Sequence, residues 1–198
     1  MGYELVVIGC SWGGLRALSR LLAGLPDPEL LPVAVAAVQH RGAVDSELAQ
    51  LLGRHTAWGV QEAHDKDRIV PGRAFLAPAG YHLLVEPGRF ALSTEAPVHH
   101  SRPSIDVLFE TAAEAYGSRL IGVVLTGASS DGAEGLRHIV RRGGHAVVQD
   151  PDTAEQPTMP AAAVATGVAH AILPLDGIAA HIAAICRAPT AKVEQPRW

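Results

Sequence analysis

A serine, a histidine and an aspartate each stand just beyond an apolar run that is typical of a buried strand. These residues are Ser11, His40 and Asp131. The runs that precede them are Leu5–Ile8, Val33–Val38 and Leu120–Leu125. Because ligands of open α/β sheets bind beyond the carboxyl ends of the strands, we expect the three side chains to meet there. A hydroxyl, an imidazole that accepts its proton and a carboxylate that orients the imidazole are the parts of an activated nucleophile.

The segment around Ser11 suits nucleophilic catalysis. Ser11 is the third residue of a G-x-S-x-G pattern, residues 9–13, which is typical of a sharp turn between a strand and a helix. Such a turn exposes the hydroxyl, and the N–H of Trp12 can then donate to a developing oxyanion, which is worth about 3–4 kcal/mol. Neutral imidazole accepts a proton near neutral pH, so His40 suits the base, and Asp131 would orient it.

Each of the three residues also has a simpler interpretation. Ser11 suits an anion-binding turn at a helix N-terminus, and His40, one of ten histidines, suits a structural role at a strand end. Asp131 precedes a helix predicted from Ala133 onward and suits its N-cap. Their common position at strand ends favours the catalytic trio over three separate roles.

The elements that must position these residues predict an α/β fold. Apolar runs without alternation indicate strands buried on both faces, so we expect a three-layer, doubly wound and mostly parallel sheet flanked by helices. Two more strands are predicted at Ala146–Gln149 and Ala171–Leu173. Tyr81–Glu86 and Arg89–Ser93, joined by Pro87-Gly88, predict a small antiparallel hairpin. Helical spacing predicts helices that contain Leu15, Leu48 (with Asp45 as N-cap), Ile105, Leu136 and Ile178.

Composition and charge exclude several classes of protein. Of the 198 residues, 48% are hydrophobic, which excludes disorder of the body of the chain and allows a sizeable core. Cys10 and Cys186 lie near opposite ends, so no disulfide framework or zinc finger is expected. A net charge of −4 gives no electrostatic case for nucleic acid. With no basic start and no apolar run near the roughly 20 residues that span a bilayer, we expect a cytoplasmic, single-domain protein without membrane insertion.

The sequence predicts neither a metal site nor a cofactor. His99 and His100 have no carboxylate or thiol at ligand spacing, and the chain has no H-E-x-x-H segment. The glycines around Ser11 do not form G-x-G-x-x-G, and the second strand ends in Gln39-His40 rather than in the acid that binds a ribose. Cys10 is expected to pack inward rather than to act as a nucleophile.

The order of these motifs resembles the catalytic domain of the chemotaxis protein-glutamate methylesterases, the CheB family. The similar segments lie between about Leu5 and Ile185 and include residues 9–14, 38–40, 102–109, 122–127, 131–132, 149–150 and 159–161. The resemblance implies that Ser11 is the nucleophile, His40 the base and Asp131 the orienting acid. It implies hydrolysis of glutamate methyl esters on the cytoplasmic helices of chemoreceptors, which releases methanol, and deamidation of glutamines by the same route. We expect this catalytic domain over residues 1–187 and a flexible tail over residues 188–198, which lack periodicity.

The chain departs from the family pattern around the expected site. Trp12 replaces a small threonine after the nucleophile, Arg41 replaces a methionine after the histidine, and Ala128-Ser129-Ser130 replaces a Met-Gly-x stretch. The backbone N–H of Ala128 is still expected to serve as an oxyanion donor. Because the first strand begins a few residues after Met1, the family's N-terminal receiver domain is not expected in this chain. Activity would then be constitutive or governed by a receiver-domain protein in trans.

Two other functions stay open from the sequence. One is a serine esterase whose different substrate is selected by Trp12 and Arg41. The other is a catalytically weakened binding module that has kept the fold. The presence of Ser11, His40 and Asp131 together argues against the binding module, since a decayed site need not retain all of them.

Overall fold

Strands and helices alternate along most of the chain. The computed structural model describes residues 2–40 and 47–187. The strands are β1 (Leu5–Cys10), β2 (Ala34–Gln39), β3 (Gly59–Glu62), β4 (Arg73–Leu76), β5 (His82–Glu86), β6 (Arg89–Ser93), β7 (Leu120–Val124), β8 (His145–Gln149) and β9 (Ala171–Leu173). The helices are α1 (Gly14–Gly24), α2 (Leu48–Gly53), α3 (Ile105–Tyr116), α4 (Ala133–Arg141), α5 (Thr158–Ala165) and α6 (Leu175–Arg187).

Seven of the strands form one sheet in the order β3-β4-β2-β1-β7-β8-β9, and all of its pairings are parallel. Strands β5 and β6 form a separate antiparallel pair. The predicted α/β class, the doubly wound sheet and the small hairpin are therefore confirmed. After β1 the chain forms β2, β3 and β4 on one side of β1, and it then crosses to the other side of β1 to form β7. Ligands of doubly wound sheets bind at such a switch point, beyond the carboxyl ends of the two strands.

Alternate residues of the central strand point into two apolar layers. Leu5 and Val7 lie in the layer that α3, α4, α5 and the hairpin cover, together with Phe109. Val6 and Ile8 lie in the opposite layer, under α1, α2 and α6. Full burial of such a side chain contributes roughly 1.5–3 kcal/mol, which explains why the strands are continuous apolar runs. No helix within the two described ranges is long and apolar enough to cross a membrane.

The sequence did not indicate three of the elements as strands or helices in their own right. Strands β3 and β4 have only four residues each, and both include polar or charged residues, so neither forms a recognisable apolar run. Helix α5 was anticipated only as a family segment, because its small apolar residues lack a one-sided stripe. The predicted N-cap Asp45 lies outside the described residues, as does the tail predicted over 188–198.

Candidate active site

Ser11 lies in the predicted sharp turn between β1 and α1. Gly13 has a φ of +74°, in the left-handed region that favours glycine, and α1 begins at the next residue. The backbone N–H of Ser11 donates to the carbonyl of Thr126 at 3.0 Å, and its carbonyl accepts from Gly14 at 2.8 Å. The side-chain amide of Gln39 also donates to the Ser11 carbonyl, at 2.8 Å. The turn is thus held from both neighbouring strands of the sheet.

His40 occupies the corresponding position at the end of β2. Its backbone N–H donates to the carbonyl of Cys10 at 2.9 Å, directly before Ser11. Its ring nitrogen Nε2 lies 2.8 Å from Oδ2 of Asp131, and its side chain is 13% exposed. Within the described residues, no hydrogen bond joins the Ser11 hydroxyl to His40. Such contacts are often long in the free enzyme and tighten when substrate binds.

The Asp131 carboxylate is buried and accepts hydrogen bonds on both of its oxygens. Its four donors are His40 Nε2 at 2.8 Å, the N–H of Ile105 at 2.7 Å, the Ser104 hydroxyl at 3.0 Å and the N–H of Asp106 at 2.9 Å. Three of these donors come from the N-terminus of α3, which favours a negative charge. Burial by itself raises the pKa of Asp131, but the hydrogen bonds from His40 and from the backbone outweigh it and hold the pKa below its usual value.

The interpretation of Asp131 as the N-cap of α4 is wrong. The N-cap residue of α4 is Gly132, so the Asp131 side chain does not cap this helix. Asp106 instead reaches across from the first turn of α3 and accepts from Gly132 and Gly135, at 2.9 and 2.7 Å. The two aspartates are therefore exchanged: each binds N–H groups at the start of the other's helix.

Asp106 is a second buried carboxylate next to the first. Its pKa is raised to about 6, chiefly by burial; the hydrogen bond from Gly135 opposes the shift, and the charge of Asp131 contributes to it. Sequence reasoning singled out neither Asp106 nor Ser104 as a site residue. The only signal was an aspartate on the apolar stripe of a predicted helix, which becomes meaningful when a second helix N-terminus lies beside it.

The hydrogen bond to Asp131 assigns the proton on the His40 ring. An ionised carboxylate only accepts, so Nε2 carries the proton and Nδ1 keeps its lone pair. The atom able to take a proton from a hydroxyl is therefore Nδ1. This is an arrangement in which the carboxylate holds one nitrogen and leaves the other for the nucleophile.

Other buried polar side chains hold the orienting groups in place. His82, which is 2% exposed, accepts from the N–H of Ser104 at 3.2 Å and contacts the carbonyl of Ala96 at 3.1 Å. The Cys10 thiol donates to Gln39 at 3.0 Å, and burial raises its pKa to about 12. The expectation that Cys10 packs inward is confirmed, because its side chain is fully buried in the apolar layer under α1.

Two backbone N–H groups near Ser11 are available to an oxyanion. Within residues 2–40 and 47–187, neither the N–H of Trp12 nor that of Ala128 donates a hydrogen bond. Gly127 packs directly behind the nucleophile, since a Cβ there would lie 3.0 Å from the Cβ of Ser11 and 2.7 Å from the sulfur of Met159. The loop can therefore approach Ser11 closely and carry Ala128 past it. The Trp12 side chain, which follows the nucleophile in the chain, is 66% exposed.

The remaining candidates from the sequence lie apart from this arrangement or outside the described ranges. His100 lines a small cavity of about 160 Å³ together with His40, whereas Arg41 falls outside the described residues. Among the residues that the structure describes, no group of three or more histidine, cysteine, aspartate or glutamate side chains is arranged to hold a metal ion.

Several known proteins have sequences similar to this chain. A protein of Leptospira interrogans, provisionally named protein-glutamate methylesterase/protein-glutamine glutaminase, is 46% identical over 181 residues, which are 90% of this chain and 93% of that protein. A protein of Symbiobacterium thermophilum with the same two activities in its name is 41% identical over 89% of this chain and 49% of its own length. Protein-glutamate methylesterase FrzG of Myxococcus xanthus is also 41% identical, over 90% of this chain and 53% of its own length.

A solved structure and a family model agree with these relatives. The crystal structure of the Thermotoga maritima CheB methylesterase catalytic domain matches with a TM-score of 0.87 at 31% identity, over 93% of this chain and 99% of that one. The family model for CheB methylesterase matches residues 6–182. These residues include Ser11, His40 and Asp131. The chain therefore belongs to the CheB methylesterase family.

Proposed function

We propose that this protein hydrolyses glutamyl methyl esters on the cytoplasmic helices of chemoreceptors and deamidates glutamines there by the same route. Ser11 is the nucleophile, His40 the general base and Asp131 the group that orients the imidazole. One observation carries the proposal: the contact of 2.8 Å between His40 and a buried, ionised Asp131, next to the turn that holds Ser11. The names of the relatives from Symbiobacterium thermophilum and Myxococcus xanthus support the ester substrate.

Acylation begins with attack of the Ser11 hydroxyl oxygen on the ester carbonyl carbon. The hydroxyl proton passes to Nδ1 of His40, and Asp131 stabilises the resulting imidazolium. The N–H groups of Trp12 and Ala128 bind the oxyanion of the tetrahedral intermediate. When the intermediate collapses, the bond to the methoxy oxygen breaks, the methoxy group takes the proton from Nδ1, and methanol leaves. The glutamyl group is then held as an ester of Ser11.

Deacylation repeats these steps with water as the attacking group. Nδ1 of His40 takes a proton from the water as its oxygen attacks the acyl carbon. Collapse of the second intermediate returns that proton to the Ser11 oxygen and leaves a free glutamate on the substrate. A glutamine follows the same course, except that the leaving nitrogen takes the proton and departs as ammonia.

The direct test is methanol release from membranes that contain methylated chemoreceptors. The wild type should release methanol, whereas Ser11→Ala should lower the rate at least about a thousandfold, because the members of a triad act as a unit. Ser118→Ala, at an exposed serine far from the site, is the matched control and should keep the wild-type rate. Equal release by wild type and Ser11→Ala would place the nucleophile elsewhere.

The same assay separates this proposal from an esterase with another substrate. The exposed indole of Trp12, the residue after the nucleophile, is the structural feature that favours such an alternative. If the wild type releases no methanol from receptor membranes but hydrolyses small esters, and Ser11→Ala abolishes that hydrolysis, the chemistry stands and the receptor substrate does not.

A further inference from the structure

Gln39, the last residue of β2, holds its side-chain amide against the backbone of both Ser11 and His40. Its Nε2 donates to the carbonyl of Ser11 at 2.8 Å and to the carbonyl of His40 at 3.0 Å. Carbonyl oxygens only accept, so the two N–H bonds of one amide group tie the nucleophile to the base. We infer that Gln39 is a positioning residue: it sets the spacing of the nucleophile and the base and the direction of the oxyanion donor at Trp12.

The Ser11 carbonyl and the Trp12 N–H belong to one peptide unit. This unit is planar and trans, so its carbonyl and its N–H point in opposite directions. The carbonyl accepts from Gln39 at 2.8 Å and from the N–H of Gly14 at 2.8 Å. The Trp12 N–H is thereby directed away from Gln39, and within the described part of the chain it donates no hydrogen bond. Fixing the carbonyl therefore fixes the donor that the oxyanion would use.

The position of the Gln39 amide is itself determined by its surroundings. The buried Cys10 thiol donates to Oε1 of Gln39 at 3.0 Å, which leaves Nε2 for the two carbonyls. Gly14 supplies the space, because a Cβ at that residue would overlap Oε1 of Gln39 and would lie 2.9 Å from the sulfur of Cys10. The two glycines after Trp12 thus have different roles: Gly13 adopts a positive φ, whereas Gly14 makes room for the amide.

A small ester tests this inference, which rests on the roles of Ser11 and His40 in the proposed function. Gln39→Met keeps an unbranched side chain of similar length but removes both donors. We expect kcat/KM for p-nitrophenyl acetate to fall by about tenfold or more, because the nucleophile, the base and the oxyanion donor are no longer held together. Binding of a trifluoromethyl ketone, which forms a tetrahedral oxyanion on Ser11, should weaken by a similar factor. Loss of stability alone would not weaken the binding of this analogue to a folded sample.

A second variant and a control separate positioning from stability. Gly14→Ala should displace the amide and lower kcat/KM as Gln39→Met does, but it should cost less in a Gln39→Ala background, where the overlapping oxygen is absent. The matched control is Thr56→Val, because the Thr56 hydroxyl also binds two backbone groups. It donates to the carbonyl of Leu22 at 3.0 Å and accepts from the N–H of Trp58 at 3.2 Å. Thr56→Val should lower the free energy of unfolding and keep the wild-type kcat/KM.

Each outcome bears on one proposal or on both. If the wild type hydrolyses p-nitrophenyl acetate but releases no methanol from receptor membranes, the receptor substrate is wrong, and the small ester still decides the role of Gln39. If Gln39→Met keeps the wild-type kcat/KM and analogue affinity while the wild type releases methanol, the positioning role alone is overturned. The same holds if Thr56→Val loses as much kcat/KM as Gln39→Met. A wild type that hydrolyses neither substrate would overturn both proposals.

Discussion

The two edges of the sheet both hold clusters of titratable side chains, but they treat charge in opposite ways. At the carboxyl edge, Asp131 is buried and four donors bind its carboxylate. At the amino edge, His145 packs between His170 and His181, with ring centroids 4.6 and 5.4 Å away. Nε2 of His145 and Nε2 of His181 are 3.2 Å apart, so no more than one of them can carry the proton between them. The first edge stabilises a charge and the second opposes one.

The comparison shows what distinguishes a working site from a perturbed one. Burial and, after it, the neighbouring His170 and His181 lower the pKa of His145 to about 4. A shifted pKa therefore occurs at both edges and does not by itself mark catalysis. Only at the carboxyl edge do directed donors hold a charged group against a base beside a nucleophile. We expect changes at the carboxyl edge to affect activity, stability or both, and changes at the amino edge to affect stability alone.

The largest effect should come from Asp131→Asn. The amide can donate to His40 and so favours the wrong tautomer, with the proton on Nδ1 where the lone pair is needed. By analogy with the loss of the orienting carboxylate in other triads, kcat should fall by about 10⁴-fold. Initial rates of methanol release, measured where circular dichroism shows the variant to be folded, check this expectation.

A matched control exists for that substitution. Asp67 also contacts a histidine, since its carboxylate lies 3.3 Å from Nδ1 of His64, but this pair is on the surface. Asp67→Asn should keep the wild-type rate. A loss of equal size in Asp67→Asn and Asp131→Asn would show that histidine–aspartate contacts act through general stability rather than through the tautomer.

Asp106→Asn should change how stability depends on pH. The pKa of Asp106 is about 6 against 3.8 in the unfolded chain, so between these values the folded state binds more protons. The contribution of Asp106 to stability is therefore lost as pH rises from about 4 to about 6. Asparagine keeps an acceptor for Gly132 and Gly135 and cannot ionise. Its free energy of unfolding relative to wild type should rise by about 1–3 kcal/mol between pH 4 and pH 7, as measured in urea.

One outcome of the same measurement would contradict this prediction. If the difference in free energy of unfolding between Asp106→Asn and wild type stays constant from pH 4 to pH 7, then Asp106 ionises beside Asp131 without loss of stability. Asp152→Asn, at an exposed aspartate, gives the baseline for removing a carboxylate elsewhere.

Ser104→Ala should act on activity and stability together. Its hydroxyl donates to Asp131 at 3.0 Å and also accepts from the N–H of Val107 as the N-cap of α3. Loss of the cap and of a hydrogen bond to a charged group should lower the free energy of unfolding by about 1–3 kcal/mol. The freed carboxylate should orient His40 less well and lower kcat about tenfold. Urea unfolding and methanol release on the same sample check both, and an unchanged kcat would limit Ser104 to a capping role.

The carboxyl edge could be predicted largely from the sequence because each of its main residues follows a strand. Ser11, His40 and Asp131 are far apart in the chain, but the rule that strand ends meet at one edge brings them together without knowledge of packing. Strands that are buried on both faces can be recognised in the sequence as apolar runs. The same reasoning failed for β3 and β4, whose four residues are too few and too polar to stand out.

The exchange between Asp131 and Asp106 could not be predicted in this way. An aspartate before a helix ordinarily caps that helix, and the ordinary rule assigned Asp131 to α4. Its carboxylate goes to α3 instead because the two helix N-termini lie side by side, and this proximity is a property of the packed molecule. The histidine cluster at the amino edge could not be predicted for the same reason. No regular spacing in the sequence relates His145, His170 and His181, which come from different parts of the fold.

The smallest effect should come from His145→Gln, at the edge without a nucleophile. The pKa of His145 is about 4, against 6.5 in the unfolded chain, so between these values the unfolded state binds more protons. The stability that the neutral ring contributes is present above about pH 6.5 and is lost as pH falls toward 4. Because the side chain is only partly buried, solvent reduces the full linkage to about 1 kcal/mol. Glutamine should remove that part of the acid-induced loss and leave kcat unchanged.

Two further variants sharpen this last measurement. His181→Gln removes one of the imidazoles that lower the pKa of His145, so it should recover part of the same loss between pH 6.5 and pH 4. His64→Gln, at an exposed histidine away from the cluster, gives the baseline for losing an imidazole. Urea unfolding at half-unit pH steps would resolve the difference. If His145→Gln also lowered the rate of methanol release at a pH where the variant is folded, the amino edge would be coupled to the site. The contrast between the two edges would then no longer hold.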